Sequence, residues 1–265
     1  MKAYIDSYIE ELLSLGRYSF SRNELGERFD VGSTAIRQCL RRLGRSGSVR
    51  SVRNGFYVII PPEYRSRGIL PPEMFIDDFM RHLGRPYYVG LLSAAALHGA
   101  AHQQPQSFFT IIAKPPVRPV QANGMNLQFS VKSAMPLTGI DKKKSAAGYF
   151  RVSSPALTAI DLLGYLRQVG GIAAAFPVLE ELVELLDEES LGQVAKEASQ
   201  TASLQRLGYM LGEVLGEKGL SDVAMAELRS REYFHISLDP SVESQGCHIS
   251  QRWKVRVNAD LETGL

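Results

Sequence analysis

The sequence is poor in cysteine, with only Cys39 and Cys247 in 265 residues. Two thiols so far apart make neither a disulfide framework nor a metal set, and a reducing compartment is the expectation. Long apolar runs are missing too. Residues 89–97 and 172–176 are the longest, well short of the roughly 20 that a membrane-spanning helix needs. The N-terminus reads as an acidic amphipathic helix rather than a basic region ahead of an apolar run, so no signal peptide is expected and the cytoplasm is the expected location. Also missing are a Gly-rich phosphate loop, a Gly-x-Ser-x-Gly elbow, a usable Cys–His pair and an Asp-x-Asp pair. No catalytic residue and no cofactor are assigned.

Net charge is small, +2, and by itself argues against nucleic acid. Its distribution argues the other way. Residues 1–67 carry twelve Arg or Lys against seven Asp or Glu, while the remaining 198 carry 18 bases and 21 acids. A basic front and a mildly acidic remainder fit a nucleic-acid module joined to a second domain.

The stretch VGSTAIRQCLRRLGR, residues 31–45, organises that front. On a helix of 3.6 residues per turn, Ile36, Cys39, Leu40 and Leu43 share one face, and Thr34, Arg37, Gln38, Arg41 and Arg45 the opposite one. Ser33 is placed to cap the helix. Arg can fork onto guanine and Gln onto adenine, and either can grip phosphate. Upstream, residues 2–15 carry an apolar stripe stopped by Gly16, and Ser21 with Glu24 forms a capping box opening a short helix. Downstream, SVRSVRNGFYVII reads as two strands around Asn54-Gly55, a type I′ hairpin signal. Helix, helix, turn, helix, hairpin is a winged helix-turn-helix. Ser33, Thr34, Arg37, Gln38, Arg41, Arg42, Arg45, Arg50, Arg53 and Asn54 are its candidate DNA contacts. Arg37, Gln38 and Arg41 are expected on base edges, and Arg42, Arg45, Arg50 and Arg53 on phosphates. The bland alternatives are a solvated arginine face and a winged helix used only for protein contacts.

Four prolines in residues 61–72 read as a linker or stiff strap. The expected organisation is therefore α+β: a winged helix-turn-helix at 1–60, the linker at 61–72, and a larger mixed domain at 73–265 with a small sheet and a helical bundle. In that domain residues 156–171 read as one helix. Lys142, Lys143 and Lys144, with Lys132 close behind, read as a basic loop that could touch DNA as a secondary site or simply be solvated. His98 and His102 are spaced i, i+4, but Gly99 intervenes and no third ligand stands near, so no metal is expected. Asp161, inside an apolar helix, is read as a polar tie to neighbouring backbone. Six acids and no base lie between residues 180 and 189, either a solvated face or a partner surface.

The segments YYVGLLSAAALHGAAHQQPQ, SPALTAIDLLGYLRQVGG, LQRLGYML and WKVRVN occur in that order. Together they resemble the AbiEi family of type IV antitoxins, and the winged helix belongs to the same architecture. The resemblance implies repression of the protein's own operon and opposition to a co-encoded nucleotidyltransferase-like toxin without a stable complex, as part of phage defence. One winged helix reads only a short site, so two copies on an inverted-repeat operator in double-stranded DNA are expected. A ligand-responsive winged-helix regulator with a metabolite-binding second domain is the alternative.

Overall fold

The computed structural model describes residues 2–29, 31–53, 55–101, 105–122 and 124–261. Packing divides the chain into two compact units: residues 1–87, 115–129 and 142–151 form one, and residues 88–114, 130–141 and 152–265 the other. This differs from the expected cut at 61–72. The proline-rich stretch belongs to the first unit, turning through short 3-10 helices at Pro62–Tyr64 and Pro72–Met74, and Leu70 is fully buried. A chain that buries its apolar residues in this way is part of a core.

The first unit opens with α1 (Lys2–Ser14), β1 (Ser19–Ser21), α2 (Arg22–Arg28) and α3 (Ser33–Arg45). The hairpin β2 (Val49–Arg53) and β3 (Phe56–Ile59) follows, and then α4 (Ile76–His82). The capping box is formed: Glu24 N–H donates to Ser21 Oγ at 3.1 Å, and the Glu24 carboxylate accepts from Ser21 N–H at 2.6 Å. The expected cap on α3 is not. Gly32 is its N-cap, and Ser33 is the first helical residue. Strand β1 was not anticipated; it pairs with β3 to give a three-stranded antiparallel sheet ordered β1-β3-β2. Helices and sheet close over Ile5, Leu12, Phe20, Leu25, Ile36, Cys39, Leu40, Leu43, Val49 and Ile59. Tyr8 meets Phe29 edge-on at 5.9 Å.

Next come β4 (Tyr87–Val89), α5 (Leu91–His98), β5 (Phe108–Ala113), β6 (Val120–Ala122), β7 (Met125–Lys132), β8 (Ile140–Ser145) and β9 (Gly148–Ser153). These strands form a six-stranded sheet in the order β6-β7-β5-β4-β9-β8. Lys142, Lys143 and Lys144 therefore sit in edge strand β8 rather than in the expected loop.

Helices dominate the second unit: α6 (Pro155–Gly164), α7 (Leu166–Val169), α8 (Ile172–Val183), α9 (Glu188–Glu197), α10 (Thr201–Tyr209) and α11 (Lys218–Arg229). A π-helical turn at Met210–Val214 extends α10. A small sheet ordered β10-β12-β11 uses Ile236–Ser237, Val255–Val257 and His248–Ser250. The single helix expected over 156–171 is broken at Tyr165, whose backbone leaves the helical region at φ −118° and ψ 37°. Two hydrogen bonds hold the break: the Tyr165 hydroxyl donates to the Val131 carbonyl at 2.9 Å, and Arg206 Nη1 donates to that of Leu163 at 3.3 Å.

Gly208 on α10 lies against the buried Trp253, and a β-carbon there would come within 2.0 Å of the indole ring. Gln205 donates from its amide to the carbonyls of Trp253 at 2.8 Å and Phe234 at 2.9 Å. The segments LQRLGYML and WKVRVN are thus packed on each other. Gly208→Ala should destabilise the chain by about 1–3 kcal/mol through overpacking. Fluorescence of Trp253, the only tryptophan, reports it in urea unfolding; an unchanged midpoint would contradict the close packing.

Candidate nucleic-acid interface

Helix α3 buries Ile36, Cys39, Leu40 and Leu43 against the first unit's core. Thr34, Arg37, Gln38, Arg41, Arg42 and Arg45 are all exposed, as the helical phase predicted, and Ser33 is exposed at the helix start. Among the described residues no ion pair engages the four arginines. Arg37 lines two open grooves: one of about 570 Å³ beside Arg22, Asn23 and Glu27 of α2, and one of about 300 Å³ beside Ser51 and Tyr57 of the wing.

Helix α2 is braced from below. Arg17 pairs with Glu24, and Arg28 meets Glu11 at 3.0 Å. Burial raises the Glu24 carboxyl, but the Ser21 N–H and the Arg17 guanidinium outweigh it and hold the group below the usual carboxylate range.

The wing departs from expectation. Its register shifts between Ser51 and Arg53, so that Arg50 stands opposite Val58 and Arg53 opposite Phe56. Directly opposed residues share a face, and residues two apart on one strand share a face. Without the irregularity Arg50 and Arg53 would point to opposite sides; with it both lie on the side of Val58 and Phe56. That side is covered, since Phe56 packs on the rings of Phe79 at 5.2 Å and His82 at 5.3 Å. Both arginines bond backbone carbonyls instead of standing free for phosphate. Arg50 Nη1 donates to Gly44 at 3.3 Å and its Nε to Gly68 at 3.4 Å. Arg53 donates to Arg118 at 2.6 Å and Pro119 at 2.9 Å. Asn54 lies outside the described residues.

In the second unit Lys132 is not a surface base. Its side chain is 11 % exposed and pairs with Asp161, which is 3 % exposed. Tyr88 donates its hydroxyl to Asp161 Oδ2 at 2.6 Å and accepts from Lys132 Nζ at 3.2 Å. Asp161 therefore ties side chains from β4 and β7, where backbone partners were expected. Burial raises its carboxyl, opposed by the Lys132 ammonium and the Tyr88 hydroxyl. A cavity of about 10 Å³ beside this pair, reaching Gln200 and Ser203, has room for about one water. Lys142 and Lys144 are exposed on β8. His98 Nε2 meets the Ser153 carbonyl at 2.7 Å, and His102 lies outside the described residues. Among the described residues no group of three or more His, Cys, Asp or Glu could hold a metal, and no helix is long and apolar enough to cross a membrane.

Residues 88–213 match the family model of the AbiEi antitoxin C-terminal domain. The chain carries an AbiEi antitoxin domain. It begins at Tyr88 and contains Lys132 and Asp161, so the buried charge network lies inside the AbiEi segment, and an antitoxin implies a toxin as its functional partner. The RV2827C protein of Mycobacterium tuberculosis has a similar fold, with a TM-score of 0.64 over 96% of this chain and 90% of that one at 17% identity. None of the curated proteins matches the chain.

Removing Lys132 strands a buried carboxylate. Lys132→Met should cost about 3–5 kcal/mol near neutral pH. Without its cation Asp161 titrates higher still, so the folded state gains protons relative to the unfolded one and the cost shrinks as pH falls. Urea unfolding of wild type and variant at about pH 7 and about pH 5 measures this; a cost that grew in acid would contradict it.

Proposed function

We propose that this antitoxin binds double-stranded DNA through α3, represses its own operon, and counters a co-encoded nucleotidyltransferase-like toxin of a type IV system without forming a stable complex with it. The observation that carries the DNA reading is the exposed face of α3, where Thr34, Arg37, Gln38, Arg41, Arg42 and Arg45 stand together and, among the described residues, no ion pair neutralises the arginines. A helix with such a face can enter the major groove, its leading residues on base edges and the later ones on phosphates. Arg37, Gln38 and Arg41 take the first role, Arg42 and Arg45 the second, and Ser33 lies at the helix start. The protein acts without catalysis in this reading, and the AbiEi domain supports the antitoxin role. The cavity beside Lys132, of about 10 Å³, lends nothing to a metabolite-sensing alternative.

Arg41→Ala should cost about 1–3 kcal/mol of operator affinity and relax specificity at one position. Gel shifts with DNA from upstream of its own gene check this, and unchanged affinity would sink the assignment. Footprinting of the same DNA should show two half-sites in inverted repeat; one isolated half-site bound at full affinity would count against paired occupancy. The two roles are tested in the full chain, because the first unit needs residues up to 151. Arg37→Ala with Arg41→Ala should abolish repression of a promoter reporter while leaving rescue of growth against the neighbouring toxin intact. Loss of rescue by a folded double variant would overturn their separation.

A further inference from the structure

Arg53 forks onto two successive carbonyls, those of Arg118 and Pro119. Such a fork fixes the direction of a segment as well as its distance, which a single donor could not. The segment, residues 115–119, is stiff on its own account: Pro115, Pro116 and Pro119 restrict the backbone. It is also anchored behind, where Val120 is 4 % exposed and pairs with Leu127. Arg118 itself is exposed. Within the same unit, Arg22 lies along Gly55 of the wing, and its N–H donates to the Gly55 carbonyl at 2.7 Å.

Arg22 is thus bonded to the wing at Gly55 and Arg118 through Arg53, and among the described residues no ion pair engages Arg22, Arg53 or Arg118. Arginines without an acidic partner attract a polyanion, whose phosphates supply negative charge in a row. We propose that Arg118 is a DNA-phosphate contact and that Arg53 is the positioning residue that holds it beside the wing. This rests on the DNA-binding reading of α3 and extends it to a segment more than sixty residues further along the chain.

Phosphate contacts ignore sequence, so a labelled random-sequence duplex serves as the probe, with full-length protein and affinity measured across a salt series. Each phosphate contact contributes about 0.9 to the slope of log affinity against log salt. Arg118→Ala should flatten the slope by about that amount. It leaves the carbonyls that Arg53 grips in place, so the urea midpoint should not move. Arg53→Ala should flatten the slope similarly, and the double variant no further, because Arg53 acts through Arg118. Should Arg53→Ala fail to fold, Arg53→Lys, which cannot make the fork, takes its place. An unchanged slope in Arg118→Ala overturns the proposal, as does a further loss from changing Arg53 in the Arg118→Ala background. Arg42→Ala is the control: if it flattens the slope and Arg118→Ala does not, only this inference fails. If wild type shows no salt-dependent binding, the DNA reading fails with it.

Discussion

A carboxylate withdrawn from bulk solvent must be answered by its neighbours, and Asp161 sets that requirement for the antitoxin domain. Tyr88 from β4 and Lys132 from β7 meet it, from 73 and 29 residues away in sequence. Tyr165, four residues on, breaks the helix to reach the Val131 carbonyl beside Lys132. A buried ion pair contributes little net stability compared with an apolar substitute, yet it tolerates few alternative arrangements. Slipping β7 by one residue would turn Lys132 to the other face of the sheet and strand Asp161. The network therefore constrains register, and it also removes one lysine from the charge available to outside partners.

The wing illustrates a different constraint. Many two-sided sheets leave one face to solvent, but here the helices cover the side of Val49, Tyr57 and Ile59, while Phe56 packs on Phe79 on the other. One shift in register places Arg50 and Arg53 together on that second side. Arginine suits the place, since its apolar stem can lie on a covered face while its planar head reaches carbonyls at the margin. The wing's own arginines are thereby spent on backbone, and α3 keeps four exposed ones.

The parts legible in the sequence were those governed by local rules. The periodicity of residues 33–45 gave both faces of α3, and Ser21 with Glu24 marked the start of α2. Strand β1, three residues all buried, had no alternation to read. The break at Tyr165 was hidden because residues 156–171 keep helical spacing on both sides of it, and the groups that hold it lie on β7 and α10. Lys132 looks like a surface base in the sequence because it is near Lys142–Lys144 there, whereas its partner Asp161 lies on α6. Arg50 and Arg53 were misplaced for a related reason: alternation along a strand fails at an irregularity that only pairing reveals. The proline-rich stretch 61–72 looked like a connector by composition, and Leu70 decided otherwise by being buried.

The chain order of the two units affects how the protein is made. The first unit takes residues 115–129 and 142–151 in addition to 1–87, so it cannot be completed when residue 87 leaves the ribosome. Another 64 residues must follow, roughly 3–13 s of synthesis at about 5–20 residues per second. During that interval Phe56 can be covered by α4, but the wing still lacks the segment that Arg53 grips. A nascent chain thus has α3 in hand before its neighbouring surface is finished. Cutting at a single point between the units would leave both unfinished, so the unit that carries α3 cannot be exchanged by simple end-to-end gene fusion.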